Sequence, residues 1–138
     1  YDAAELQRVL KSDGLFLTQQ VGAENDRELV ELLLPQLTEV PFPKQYLDVK
    51  KAELLEHGFE ILESGEVRRP IRFFDVGALV WFARIIEWEF PGFSVDSCFE
   101  HLIEAQKRIE RDGLLEGSIH RFYIVAKKIS APIDISDF

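Results

Sequence analysis

Methionine is absent from the 138 residues, and cysteine occurs once. The single thiol of Cys98 cannot form a disulfide within the chain, so the sequence favours a reducing compartment and we expect a cytoplasmic protein. Because Cys98 lies beside Phe99 in a helical pattern, we interpret it as a small core residue. The missing methionine, together with an opening YDAAEL that already reads as a helix start, predicts an internal piece of a longer chain.

Long apolar runs and clustered positive charge are also lacking. No run approaches the roughly 20 residues of a membrane-spanning helix, so we expect no membrane association. The formal net charge is −9, which argues against a nucleic-acid partner because phosphate binding needs clustered Lys and Arg. The three histidines lack the spacing of a metal-ligand pair such as H-x-x-x-H, so no metal site is predicted.

The residues that are present favour one globular domain. Apolar residues make up 46% of the chain, and the 11 phenylalanines supply bulky material for a sizeable core. Asp2 and Glu5 form a capping-box pattern that predicts a first helix, which Gly14 ends. A strand follows over about 15–21, and Asn25 or Asp26 opens a second helix.

The middle of the chain alternates helix and strand. A helix is predicted over about 44–56 and a strand over about 58–64. Pro70 lacks a donor, so any strand around it lies at a sheet edge or breaks. Asp75 is predicted to cap a helix over about 75–86, which is apolar nearly all round and therefore expected to be buried.

The last third carries the longest helix and the clearest strand. Ser94 is predicted to cap an amphipathic helix over about 94–112, and a strand is predicted over about 120–128. The residues expected to face inward from that helix are Phe99, Leu102, Ile103 and Ile109. Three strands separated by helices predict an α/β fold, although three strands alone leave faces and edges of a sheet uncovered.

The stretch AAELQRVLKSDGLFLTQQVG resembles the passage before and through the fifth strand of class I S-adenosylmethionine-dependent methyltransferases. LLEHGFEILES resembles their sixth strand and HRFYIVAKK their final antiparallel strand. FFDVGALVWFARIIEWEFPGFS together with HRFYIVAKK is similar to a bacterial group of methyltransferases of small-molecule type and unassigned substrate. The family's helix pattern E-x-x-R-V-L-K-x-x-G is matched by Glu5, Arg8, Val9, Leu10, Lys11 and Gly14, with Asp13 where a second glycine is usual.

This resemblance implies that residues 1–138 are the C-terminal half of a class I methyltransferase (Rossmann-like) fold. The expected sheet is mixed and three-stranded, with the last strand central and antiparallel to both neighbours and with helices covering the sheet. The family's glycine-rich turn G-x-G-x-G, which binds the cofactor, has no counterpart here. We therefore expect S-adenosylmethionine to be bound mainly by an absent N-terminal half, and this chain alone to be inactive.

By the same resemblance, the reaction is displacement of a methyl group from S-adenosylmethionine by an oxygen, nitrogen or carbon nucleophile. Such catalysis rests largely on proximity and alignment, and we assign no catalytic residue. Ligands of open α/β sheets lie beyond the carboxyl ends of the parallel strands. The predicted acceptor-binding residues near that rim are Gln19, Gln20, Trp88, His120 and Arg121.

Each of these residues also has a second interpretation. One glutamine can hydrogen-bond to the backbone of a loop while the other faces solvent. Trp88 can belong to the core, and His120 can lie on the surface without a functional role. The expected partner is a small-molecule acceptor; an RNA base is an alternative that the acidic balance weakens. A second alternative is a non-catalytic α/β interaction domain that binds a protein through the aromatic loop EWEFPGF.

Two expectations concern exposed elements of the predicted fold. The helices about 75–86 and 94–112 are expected to cover the carboxyl end of the sheet, with the aromatic loop between them excluding water from the reaction. The strand about 15–21 is expected to have an unpaired edge, through which the isolated chain can self-associate.

Overall fold

A computed structural model describes residues 1–130. Of these, residues 1–20, 44–66 and 122–130 form a first compact unit, and residues 21–43 and 67–121 form a second. The helices are α1 Ala3–Val9, α2 Arg27–Leu33, α3 Leu47–Glu56, α4 Val76–Ile85 and α5 Phe99–Asp112. No helix among the described residues is long and apolar enough to cross a membrane.

The strands β1 Leu15–Val21, β2 Phe59–Phe73 and β3 Leu115–Lys128 form one sheet in the order β1-β3-β2. The amide of Lys128 donates to the Gly14 carbonyl (2.9 Å), while the amide of Gly22 donates to the His120 carbonyl (2.9 Å). β1 and β3 therefore run in opposite directions. The amide of Ile129 similarly donates to the Gly58 carbonyl at the start of β2. The prediction of a central last strand, antiparallel to both neighbours, is confirmed.

Two strands are longer than predicted. β2 was expected over about 58–64 but continues through Pro70 to Phe73. It can do so because it lies at the edge of the sheet, where a proline without an N–H leaves no ladder partner unpaired. β3 was expected from about 120 but begins at Leu115.

In the first unit, one sheet face carries the core. Asp2 caps α1 as predicted, since its Oδ1 accepts a hydrogen bond from the Glu5 amide (2.9 Å). The buried cluster of this unit consists of Ala3, Leu54, Phe59, Phe122, Ile124 and Ala126. Alternation along β1 and β3 leaves Leu15, Leu17 and Tyr123 on the other face, where Leu17 is 66% exposed.

In the second unit, α2 and α4 each pack on α5. The cluster around them includes Leu29, Leu79, Phe90, Cys98, Leu102 and Ile109. The predictions that Cys98, Leu102 and Ile109 lie in the core are therefore confirmed. Asp75 caps α4 as predicted, with its Oδ1 accepting from the Ala78 amide (2.8 Å).

Three predictions for this unit are wrong. α4 is not buried all round: Leu79 and Ala83 are buried, whereas Trp81 is 67% exposed. α5 begins at Phe99, because the Ser94 hydroxyl accepts from the Ser97 amide in a separate turn before the helix. Two residues expected to face inward from this helix, Phe99 and Ile103, are instead exposed, at 53% and 38%.

Candidate functional site

The turn that follows β1 is fastened to the first half of β3. The Asp26 amide donates to the Ser118 carbonyl (2.8 Å), and the Asn25 amide donates to the Gly22 carbonyl (3.2 Å). Asp26 has a left-handed backbone (φ 56°) that closes the turn and places it at the N-cap of α2. The turn therefore presents the side chains of Asn25 and Asp26 to the interior of the second unit, where both are buried.

Gly22 lets this turn approach His120 closely. A Cβ at position 22 would lie 2.0 Å from the His120 Nδ1, so no larger residue fits unless the ring moves. His120 is fully buried, and its Nδ1 accepts a hydrogen bond from the Glu24 amide (3.3 Å). The acceptor role at Nδ1 places the proton of a neutral ring on Nε2.

The Asn25 side chain is the centre of a buried polar cluster. Its Nδ2 donates to the Asp26 Oδ2 (2.6 Å) and to the two carboxylate oxygens of Glu89 (2.9 and 3.0 Å). Its Oδ1 accepts from the His120 amide (2.9 Å) and from the Arg121 Nη1 (2.5 Å). One amide thus joins four other residues, and we refer to Asn25, Asp26, Glu89, His120 and Arg121 as the Asn25 cluster.

The two carboxyl groups of the Asn25 cluster are both buried. Asp26 is 1% exposed and Glu89 is 7% exposed. Burial, a hydrogen bond to Glu89 and the charge of Glu89 raise the pKa of Asp26 to about 8, although the Arg121 guanidinium acts against this rise. At neutral pH the pair therefore retains one proton, and it can take up or release that proton near pH 8.

A polar cleft of about 330 Å³ opens elsewhere in the second unit. Its lining includes Glu24, Glu28, Arg68 and Ser118. The Arg68 guanidinium pairs with the Glu24 carboxylate (2.6 Å), and Glu28 accepts from the Ser118 hydroxyl (2.7 Å). This cleft is large enough for a small polar molecule and offers both donors and acceptors.

The predicted residues His120 and Arg121 meet in the Asn25 cluster. Trp88 lies next to Glu89 in sequence, but its own side chain is 58% exposed. The neighbouring Phe90 is buried in the core of the second unit. The aromatic loop therefore divides, with one ring in the core and one in solvent, and acceptor binding by these predicted residues stays a prediction.

Gln19 and Gln20 lie in the first unit and point to opposite faces of the sheet. Gln20 donates to the Thr18 hydroxyl (2.5 Å) and accepts from the Gln45 amide group (2.9 Å), which ties it to the loop before α3. Gln19 is exposed and lines a groove of about 260 Å³ with Leu17 and Tyr123. Their proposed contact with an acceptor also stays a prediction.

Asn25, Asp26 and Glu89 were not predicted as site residues. Asn25 was interpreted as a turn residue or helix start, Asp26 as a helix start, and Glu89 as part of the aromatic loop. A carboxylate between Trp88 and Phe90 was a usable signal, because a charged residue within an aromatic run is either exposed or buried with a partner. The sequence gives no indication of which partner that would be.

Two features of residues 1–130 bear on metal and cofactor binding. Among residues 1–130, no group of three or more His, Cys, Asp or Glu side chains could hold a metal ion. Gly22 follows a strand, as the glycines of a cofactor turn do, but the His120 ring fills the space beside it. That turn therefore does not fit the methionine end of S-adenosylmethionine.

Solved structures align with most of this chain. BH2331 from Bacillus halodurans C-125, a candidate methyltransferase, matches with a TM-score of 0.54 at 17% identity, over 93% of this chain and 57% of its own. YcgJ from Bacillus subtilis matches with a TM-score of 0.47 at 17% identity, over 94% and 57% of the two chains. A candidate sarcosine dimethylglycine methyltransferase from Galdieria sulphuraria matches with a TM-score of 0.37 at 15% identity, over 92% of this chain and 46% of its own.

No protein-family model and no curated protein matches the sequence. The likeness to BH2331 shows the fold alone: an α/β chain with part of a Rossmann-like architecture. This chain spans little more than half of the length of BH2331.

Proposed function

We propose that this chain is the acceptor-side, C-terminal part of an S-adenosylmethionine-dependent methyltransferase that acts on a small molecule. The observation that carries the proposal is the fold shared with BH2331 along 93% of the chain. A fold alone does not determine an activity, so the motif from Glu5 to Gly14 adds the second argument. In the structure this motif begins within α1 and ends at Gly14, directly before β1, which is the helix-to-strand order that the family resemblance implies.

The uncovered side of the sheet supports an incomplete fold. Among residues 1–130, β1 has β3 as its one neighbour, so its outer edge pairs with no described strand. Leu15 and Leu17 are exposed on the adjoining face. We propose that the other half of the methyltransferase fold adds a strand at this edge and covers this face, since an apolar strand edge in water invites pairing.

The cofactor is proposed to bind mainly to residues outside this chain, because the turn at Gly22 is filled by His120. When bound, S-adenosylmethionine supplies the methyl group on its sulfonium. The role proposed for this chain is to hold and orient the acceptor. In the second unit the proposed contacts are Trp88 and Arg121, while the buried His120 would act from within the Asn25 cluster.

The test is S-adenosylmethionine binding and methyl transfer by the protein expressed from the full reading frame. Calorimetry should show cofactor binding, and methyl-labelled cofactor should label a member of a panel of small polar acceptors but not RNA. The absence of S-adenosylmethionine binding by the full-length protein would contradict the proposal. Labelling of RNA instead would keep the reaction class but replace the acceptor.

A second candidate function is a non-catalytic interaction domain. Trp81 and Trp88 are 67% and 58% exposed, and exposed aromatic residues often mark a surface for a protein partner. If this function is correct, the full-length protein should bind no S-adenosylmethionine. It should also lose a defined protein partner when Trp81 and Trp88 are both replaced by Ala, while its fold by circular dichroism stays unchanged.

A further inference from the structure

We propose that Asp26 and Glu89 form a proton-controlled latch, which at neutral pH holds the loop after α4 against the turn after β1. This inference concerns the second unit alone and does not depend on methyl transfer. Asp26 immediately precedes α2, whereas Glu89 lies in the loop after α4, 63 positions further along the chain. Their side chains are nevertheless bridged by the single amide group of Asn25.

The closeness of two buried carboxyl groups on this bridge favours a retained proton. Asn25 Nδ2 lies 2.6 Å from an Asp26 oxygen and 2.9 Å from a Glu89 oxygen, so the two carboxyl groups share one donor group. Both are buried, and two negative charges that share a buried site cannot both be ionised cheaply. One carboxyl group that keeps its proton can instead donate to the other, which turns repulsion into a hydrogen bond.

The neighbouring charged groups do not neutralise the two carboxylates in place of that proton. Arg121 is the cation that acts on Asp26, but its guanidinium donates to the opposite end of the Asn25 amide and to the His120 carbonyl. Glu28 adds a further negative charge, and His120 directs its Nδ1 to the Glu24 amide. The excess of carboxylates favours the protonated pair and agrees with the raised pKa of Asp26, about 8.

Loss of the proton should release the loop but leave the core in place. The Glu89 and Phe90 amides both donate to the Ile86 carbonyl, which continues the end of α4, and Phe90 is buried in the core. Glu89 therefore lies on a short segment that is fixed at Ile86 and at Phe90, and its side chain extends toward the Asn25–Asp26 turn. When both carboxylates are charged, repulsion acts on this segment, and the exposed side chain of Trp88 beside it should report the movement.

The experiment uses the 138-residue chain with Trp81→Phe, which leaves Trp88 as the one tryptophan because the sequence contains two. Trp88 emission is followed from about pH 6 to pH 10, with far-UV circular dichroism as a measure of folding. We expect a reversible change in emission with a midpoint near pH 8 at constant dichroism. Asp26→Asn in the same background should abolish the change, and Asp112→Asn, at an exposed carboxylate, should leave it intact.

Two outcomes would overturn the latch: no emission change in the Trp81→Phe protein over this range, or the same change in Asp26→Asn. If Asp26→Asn fails to fold, Glu89→Gln decides, because it keeps a hydrogen-bonding group and removes the like charge. It should move the midpoint down by about 1 pH unit or more. An unchanged midpoint in Glu89→Gln would also contradict the proposal.

Discussion

At position 22, a side chain as small as a methyl group would collide with the imidazole of His120. The added Cβ would lie 2.0 Å from Nδ1, and the fully buried ring has little room to move away. We predict that Gly22→Ala lowers the free energy of unfolding by about 3 kcal/mol, at the upper end of the cost of overpacking. Urea denaturation monitored by circular dichroism measures the loss.

Gly92→Ala is the matched control for Gly22→Ala. Gly92 has a positive φ of 74° and no atom within 4 Å of an added Cβ. Its replacement should cost about 1 kcal/mol through backbone strain alone. If Gly22→Ala is no more destabilising than Gly92→Ala, the His120 ring moves freely and the packing of the Asn25 cluster is looser than the structure indicates.

Asp26 should make the protein less stable as the pH rises. Its pKa is about 8 in the folded state, above the ordinary value of 3.8. The folded state therefore holds a proton that the unfolded state has lost between about pH 4 and pH 8, and stability falls across this window. The contribution of this proton to the free energy of unfolding is fully present below about pH 4. Across the window the free energy of unfolding falls by at most about 1.4 kcal/mol per pH unit.

Asp26→Asn should remove this slope. Urea-unfolding free energies of the two proteins at several pH values from about 5 to 8 make the comparison. Arginines lower the pKa values of the exposed carboxylates Glu104 and Asp112, so these groups act at lower pH and do not obscure the window. Parallel profiles for the two proteins would show that Asp26 carries no buried proton.

Single residues were predictable from the sequence where their partners are close in the chain. Asp2 and Asp75 were predicted as caps, and each accepts from an amide three residues ahead. The Asn25 cluster was not predictable in this way. Asn25 meets Glu89 across 64 positions and His120 across 95, and such pairings depend on the fold rather than on a local pattern.

Among the elements, those with a clear hydrophobic period were predicted, but several of their ends and exposed faces were not. α4 was expected to be buried all round because every face is apolar, yet the face with Trp81 and Ile85 is exposed. Periodicity shows which faces are apolar but not which of them has a neighbour. The start of α5 was misplaced because Ser94 does form a capping bond, but in a separate turn.

The outer edge of β1, which pairs with no strand of residues 1–130, predicts self-association of the isolated chain. The strand LFLTQQV has no charged residue and no proline, the devices that commonly protect an edge. We expect the 138-residue chain to form dimers or larger species in analytical ultracentrifugation. Leu17→Lys, which places a charge on the exposed face of this strand, should shift the distribution to monomer.

Val49→Lys is the control for Leu17→Lys, because it adds the same charge to an exposed apolar position of α3. It should leave the association unchanged. A chain that is monomeric at high concentration without either substitution would contradict the prediction, and so would equal effects of both lysines.

The aromatic loop after α4 offers a test of acceptor binding. If the proposed function is correct, Trp88→Ala in the full-length protein should reduce methyl transfer more than it reduces stability, because the ring is mostly exposed and contributes little to the core. Trp81→Ala, at an equally exposed position on α4, should leave transfer unchanged. If Trp88→Ala unfolds the protein and the activity per folded molecule stays normal, the loop does not shield the reaction.

For the molecule as a whole, the order of strands was predicted from the family resemblance rather than from the residues themselves. Periodicity identified the three strands, but nothing in it places the last strand between the other two. The structure confirms that order. The apolar run from Phe122 to Ala126 suits the central position, with Phe122, Ile124 and Ala126 buried.

The most direct test of the proposed half-fold is the binding of S-adenosylmethionine, measured by calorimetry on two proteins. One is the 138-residue chain, and the other is the protein expressed from the full reading frame. We predict micromolar cofactor binding by the full-length protein and none by the chain alone, because the turn at Gly22 is filled by His120. Micromolar binding by a monomer of the 138-residue chain would contradict the account, since the cofactor site would then lie within these residues.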